Sequence, residues 1–235
     1  MSAADAAQVV NRLIDGLPHS LRSRILKRCQ QVDMTFGTIL CEPDQPLRHV
    51  FFPLTGFISL VATVTSHPAL ELGLIGSEGM LGATMVLGVN SAGLQGIVQG
   101  SGTALRLTAA QLRQELQQSL ALRGTLKRYL FVLHAQLAQS AACTRFHEIK
   151  ARLARWLLLT HDRAHADHFH LTHQCLANML GVQRSAITIA AGTLQRRKLI
   201  HYSRGDIWIL DRQGLEATSC ECYQAVIDDY LHQFP

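Results

Sequence analysis

No run of apolar residues in this chain approaches the roughly 20 that a membrane-crossing helix needs, although 48% of its 235 residues are hydrophobic. Met1 to Val10 lacks the basic start and apolar core of a secretory signal. A cytoplasmic protein with no membrane partner is therefore expected. The six cysteines, Cys29, Cys41, Cys143, Cys175, Cys220 and Cys222, include no CxxC pair, so reduced thiols are expected and not a disulfide framework. Cys220-Glu221-Cys222 is too tightly spaced for the usual pair of zinc ligands, and on a helix its two cysteines would face different sides. No metal site is assigned.

Charged residues are also few, 17% of the chain, and their net balance is +5. That balance is uneven. Residues 1–143 carry eleven Lys and Arg against eight Asp and Glu, 144–205 carry ten against three, and 206–235 carry one against six. A positive surface confined to one segment supplies the salt-sensitive, sequence-independent part of DNA affinity.

Within that basic segment, Leu171 to Ile200 reads as two short helices meeting at a glycine turn. Ala177 is small enough for a second helix to cross over it, and Gly181, four residues later, suits a turn that needs positive φ, with Val182 as a plug beneath. Ile187, Ala190, Ala191 and Leu194 give the second helix one apolar face at helical spacing. Gln183, Arg184, Ser185, Thr188 and Gln195 occupy its polar side, and Arg196 follows. Such side chains reach base edges and phosphates when a helix enters the major groove. Thr172 and His173, at the start of the first helix, are placed to meet a phosphate.

Two β-rich runs follow, Leu199 to Ser203 and Ile207 to Leu210, joined through Arg204-Gly205-Asp206. A tight hairpin there forms a wing with Arg204 at its tip. An ordinary helical hairpin buried in a core, or a module whose helix-turn-helix binds protein, is the competing reading of the same residues.

Upstream, Ala3 to Ile14 and Leu21 to Cys29 have helical periodicity, broken at Gly16-Leu17-Pro18. Seven short runs then predict strands: Val32 to Phe36, Thr38 to Leu40, Val50 to Phe52, Phe57 to Val64, Leu70 to Ile75, Gly96 to Gln99 and Thr103 to Leu107. Their spacing suggests an antiparallel barrel or jelly roll, with one short helix over Met80 to Leu87. From Thr108 to about Thr160 the pattern is helical, breaking around Ala142 to Thr144. Leu126, Leu130, Leu133 and Leu137 recur at close to coiled-coil spacing and predict a seam between two copies. Packing of that helix on the chain's own barrel is the alternative.

In order, GLIGSEGMLG (Gly73 to Gly82), RLARWLL (Arg152 to Leu158), MLGVQRSAITIAAGTLQ (Met179 to Gln195) and LEATSCECY (Leu215 to Tyr223) resemble segments of the Crp/Fnr transcription regulators of bacteria. The resemblance runs over nearly the full length. It implies an α+β protein in three parts: an N-terminal β-roll of the cyclic-nucleotide-binding-like jelly-roll kind over 1–118, a long dimerisation helix over 119–143, and a winged helix-turn-helix over 144–235. It further implies a homodimer that binds double-stranded DNA, works with RNA polymerase and takes a small-molecule effector in the β-roll. Arg184 matches the arginine that opens the recognition helix in the cyclic-AMP-responsive members. Ser185 and Ile189 stand where those members carry a glutamate and a second arginine, so a different operator is expected.

The effector pocket implied by the resemblance contains Gly76, Ser77, Glu78, Gly79 and Met80. The family's cyclic-nucleotide binders place an arginine on the phosphate about ten residues further on. Here Ser91 to Gln99 reads SAGLQGIVQ, and no arginine follows until Arg106. A buried phosphate without a cation is costly, so cyclic AMP is not expected in the usual mode. The cofactor stays unassigned. The oxygen sensors of the family need an N-terminal cysteine cluster, whereas only Cys29 and Cys41 precede the long helix; no iron-sulfur cluster is expected.

Two further groupings carry no assignment. His161, His165, His168, His170 and His173, with Asp162 and Asp167, match no standard zinc spacing and are expected in a solvated loop. Glu71, Glu78 and the pairing of Cys143 with His147 lack an oxyanion or metal framework for catalysis. No enzyme activity is assigned.

Overall fold

All seven expected strands form, because residues that alternate apolar with small or polar ones bury one face and solvate the other. They are seen in a computed structural model that describes residues 10–164 and 166–235. Two short helices come first, α1 (Arg12–Asp15) and α2 (His19–Arg28), separated at Gly16 with Pro18 as the N-cap of α2. The stretch before residue 10, where a longer first helix was expected, and His165 lie outside the described residues.

The strands are β1 (Gln30–Met34), β2 (Ile39–Cys41), β3 (His49–Pro53), β4 (Phe57–Ala62), β5 (Leu70–Ile75), β6 (Gln95–Gly100) and β7 (Gly102–Thr108). They pair antiparallel in two sheets, β1-β7-β3 and β2-β6-β4-β5. Met34, Phe51 and Ala104 of the first sheet meet Ile58, Leu60, Ile75 and Val98 of the second. The interior of the roll is thus packed with apolar side chains. The helix expected over Met80 to Leu87 is only a 3₁₀ turn, Ala83–Leu87, bounded by Gly82 and Gly88 at positive φ. Left-handed glycines at both ends cut the α-helical ladder short.

A capping box between Thr108 and Gln111 starts α3 (Ala109–Gln118). Ser119 then caps α4 (Leu120–Phe146), whose 27 residues span about 40 Å at the usual helical rise. The break expected at Ala142 to Thr144 falls later, at His147, whose extended backbone ends the helix.

The C-terminal part comprises α5 (Ile149–Ala164), β8 (His168–His170), α6 (His173–Leu180), α7 (Arg184–Arg196), β9 (Ile200–Ser203), β10 (Asp206–Ile209), α8 (Arg212–Glu216) and α9 (Cys222–Gln233). Its core joins Leu153, Leu157, Leu176, Ile187, Leu194, Ile200, Ile207 and Leu215, all buried. Phe57 and Leu74 of the roll pack into that same cluster. The helix-turn-helix is therefore docked on the roll. Finally α9 returns along α4, and Arg128 of α4 lies over the ring of Phe234 at 5.6 Å.

Candidate nucleic-acid interface

The crossing of α6 and α7 is built as its small residues require. Ala177 is buried between the helices, and Gly181 caps α6 with φ +63°, its N–H donating to the carbonyls of Ala177 and Asn178. A Cβ at Gly181 would also come within 2.8 Å of Leu70 at the start of β5, so the turn itself rests on the roll. Ile187, Ala190, Ala191 and Leu194 are buried. The opposite side of α7 presents Gln183, Arg184 and Ser185 to solvent. No side chain caps the first turn of α7, which leaves its backbone N–H groups open for a phosphate.

Other expected contact residues are partly committed elsewhere. The Thr172 hydroxyl accepts the N–H of Cys175 at 3.2 Å and so serves as the N-cap of α6. His173 stacks on Tyr202 at 4.2 Å and meets the Thr188 hydroxyl at 3.0 Å through Nδ1. Burial, then the charge of Arg184, lowers its pKa below the usual imidazole value. Thr188 donates to the carbonyl of Arg184 at 3.1 Å, which satisfies its hydroxyl within the helix. Gln195 accepts the N–H of Tyr202 at 2.7 Å and ties α7 to the wing. His173, Thr188 and Gln195 thus brace the helix pair more than they present it.

Sequence reasoning gave Ile189 no contact role. It lies one turn beyond Ser185 and is 70% exposed, on a helix whose other large apolar residues are buried. An exposed isoleucine beside exposed polar residues is the kind of side chain that can meet a thymine methyl; the interrupted apolar period was the available signal.

The wing is a two-residue hairpin in which Ser203 pairs with Asp206. Arg204 and Gly205 both take positive φ, +52° and +93°, as the hairpin turn that matches strand twist requires. Arg204 is exposed at its tip. Arg196 is exposed as well and donates to Thr193 at 3.0 Å. A third strand, β8, pairs with β10 and corrects the expectation of a solvated histidine loop. His168 and His170 each contact Asp206 Oδ1 at 3.0 Å, and His161, inside α5, contacts Asp167 at 2.6 Å. Carboxylate partners and strand pairing hold the described part of this tract.

The loop Gly76 to Met80, expected to line an effector pocket, divides between packing and a cavity. Met80 is fully buried, and a Cβ at Gly79 would strike the ring of Tyr129 on α4. A Cβ at Gly76 would strike the stem of Arg163, whose Nε donates to Glu78 at 2.9 Å. The glycines allow α4 and α5 to approach the roll closely. Glu78 pairs across that junction, and together with Ser77 it lines a cavity of about 470 Å³ bounded by Arg12, Tyr129, Gln136 and Arg212.

A second cross-junction contact involves Glu71 on β5. It accepts from Ser59 at 2.5 Å and from the Trp156 indole N–H of α5 at 2.6 Å. Burial raises its pKa to about 7 against the opposing pull of these bonds and of Arg155 and Arg163.

Of the four leucines expected at a seam on α4, one is withdrawn into the chain's own core. Leu126 is fully buried in the chain's own core, where Leu130 and Leu133 are half-buried partners. Leu137 is also half-buried, with its methyl 3.2 Å from where a Cβ on Gly73 would stand. The outward face carries Leu120, Phe131 at 55% exposure, Ala138 and Ala142. Near the end of the helix, Cys143 and His147 meet Cys220 and Cys222, and these four ligand-capable atoms lie within 4.8 Å of one another. Cys220 precedes α9 in a turn. The two closely spaced cysteines therefore face one point, contrary to the helical expectation.

Residues 151–218 match the family model described as a Crp-like helix-turn-helix domain. No curated protein matches the chain. Among solved structures, a transcriptional regulator of the Crp/Fnr family from Eubacterium rectale is 17% identical with a TM-score of 0.68, covering 88% of this chain and 96% of its own. FixK2 from Bradyrhizobium japonicum is 13% identical at a TM-score of 0.68, covering 82% of this chain and 98% of its own. The c-di-GMP-responsive global regulator CLP of Xanthomonas campestris is 17% identical at 0.65, with coverage of 82% and 99%. At these identities the likeness is one of fold.

Proposed function

We propose that this chain, which carries a Crp-like helix-turn-helix domain on the fold of Crp/Fnr regulators, is a homodimeric transcription regulator that reads a specific duplex site with α7. One observation carries the reading. The uncapped, solvent-facing start of α7 displays Gln183, Arg184 and Ser185 together, beside Ile189, with Arg196 and the wing-tip Arg204 as flanking cations. The arginine can read guanine, the isoleucine a thymine methyl, and the flanking cations the phosphates.

Dimerisation is supported by the outward apolar stripe of α4 and by the geometry of the fold, in which two recognition helices read two half-sites. The junction cavity supports an effector reading. It touches the roll, α4, α5 and α9, so a ligand bound there can favour one arrangement of the DNA-binding part over another. Its apolar floor of Leu74, Val132, Leu159 and Val226, and its rim of Arg12, Glu78 and Arg212, suit an amphipathic molecule. Contact with RNA polymerase follows from the same regulator reading.

Selection from a pool of random duplexes tests it. The expected result is enrichment of a two-fold symmetric site with half-sites one helical turn apart, about 34 Å, and affinity that falls with salt. No enrichment, with equal retention of all sequences at low salt, would overturn sequence-specific regulation.

A further inference from the structure

The sulfur and imidazole cluster at the end of α4 belongs neither to the DNA-reading surface nor to the junction cavity. Cys143, Cys220 and Cys222 are buried, and His147 is half-buried. The Sγ atoms of Cys143 and Cys220 are 3.5 Å apart, and Cys222 Sγ lies 3.4 Å from His147 Nδ1. In a tetrahedral zinc site, with Zn–S near 2.3 Å and Zn–N near 2.0 Å, the ligand-to-ligand edges are roughly 3.5–3.8 Å. Two edges of the cluster thus have the length of a coordination-shell edge, and all four ligand atoms lie within 4.8 Å of one another, so a small contraction would close the shell.

Its surroundings are arranged for the same purpose. His147 turns Nδ1 to the sulfurs while Nε2 meets Glu221 Oε1 at 3.1 Å. A carboxylate behind a histidine fixes the tautomer that leaves the other nitrogen free to ligate. Gln139 donates to Cys222 Sγ at 2.9 Å. Arg152 and Arg155 of α5 stand close enough for their charge to be felt at Cys143. They offset the surplus negative charge of three thiolates around a dication.

We propose that Cys143, His147, Cys220 and Cys222 bind one Zn²⁺ in a closed, structural Cys₃His site. Three thiolates and one imidazole select zinc over the hard cations, and four protein ligands leave no position for substrate. Binding displaces the thiol protons, so uptake weakens as pH falls. The ion joins the end of α4 to the turn between α8 and α9. Arg152, two residues beyond Lys150 on α5, also donates to the carbonyl of Leu180 at the end of α6. The staple thereby sets the angle at which the helix-turn-helix leaves the long helix.

The test uses the full-length protein, purified reduced and without chelator, with metal content measured by plasma mass spectrometry. About one zinc per chain is expected, with X-ray absorption showing three sulfurs near 2.3 Å and one nitrogen near 2.0 Å. Cys220→Ser and Cys222→Ser should each lower the zinc content at least tenfold. His147→Cys should retain it, which separates ligation from a general packing defect. Wild-type protein without zinc after reduction and zinc dialysis, iron in place of zinc, a Cys143–Cys220 disulfide in the freshly isolated chain, or unchanged zinc in both serine variants would each overturn the proposal. The readout is metal content, so it stands or falls independently of DNA binding.

Discussion

Arg184, Ser185 and Ile189 lie within two turns on the exposed side of α7, where the proposed reading places the contacts to bases. A guanidinium gives a bidentate contact to guanine worth about 1–3 kcal/mol of discrimination. Arg184→Ala is expected to lower affinity for the selected site by roughly 5- to 150-fold on that scale, while binding to unrelated duplex changes far less. Titration of both duplexes at one salt concentration checks it; equal losses would move the recognition surface elsewhere. Arg204 presents a different balance. A non-glycine residue in the left-handed region costs on the order of 1 kcal/mol, less for asparagine, whose short polar side chain bonds locally. Arg204→Asn should therefore raise thermal stability slightly and weaken DNA binding at the same time. A variant less stable than wild type would show that the arginine holds the hairpin.

At the scale of the element, α4 serves two neighbours. Leu122, Leu126 and Tyr129 are buried in the core of the chain's own N-terminal part, whereas Phe131, Ala138 and Ala142 face outward. Phe131→Asp should convert a sedimenting dimer to a monomer with little change in unfolding midpoint, since the site is exposed in the single chain. Leu126→Ala should do the reverse, costing about 2–5 kcal/mol of stability through a core cavity while leaving association in place. A dimer that survives Phe131→Asp would place the contact on another surface. The leucine spacing was legible in the sequence, but not its orientation. Every 3–4 residues an apolar side chain satisfies either a partner helix or the chain's own core, and the rotation between them depends on where the roll sits.

At the scale of the whole molecule, the roll and the helix-turn-helix domain are joined through packed side chains. Leu70 under Gly181, Glu71 with Trp156, and Glu78 with Arg163 are three contacts across the same junction. Glu71 makes the junction sensitive to pH. Burial raises its pKa to about 7 from an ordinary value near 4.5, so the folded state holds its proton more tightly than the unfolded chain. Its contribution is fully present below about 4.5 and is lost as pH rises through about 7. Glu71→Gln keeps an acceptor for the indole and has no charge to bury. The stability to unfolding between those limits should then fall less steeply with pH than in wild type, by up to about 3 kcal/mol over the range. Parallel profiles would show that the carboxyl ionises without cost at the junction.

Local chemistry was enough to specify the strands of the roll, the glycine turn between α6 and α7, the wing and the basic segment, because each depends on residues within a turn or a strand of one another. Alternation, a positive-φ glycine and the 3.6-residue period act over such distances whatever lies around them. Long-range placement followed different rules. Glu78 became an ion-pair partner of Arg163, 85 positions away, and Leu126 became core. Cys143 and His147 met Cys220 and Cys222 only because α9 folds back along α4. Spacing along the chain says nothing about such meetings, since they are made by packing whole elements, and a turn ahead of α9 reversed the direction that a helical reading of Cys220 and Cys222 implied.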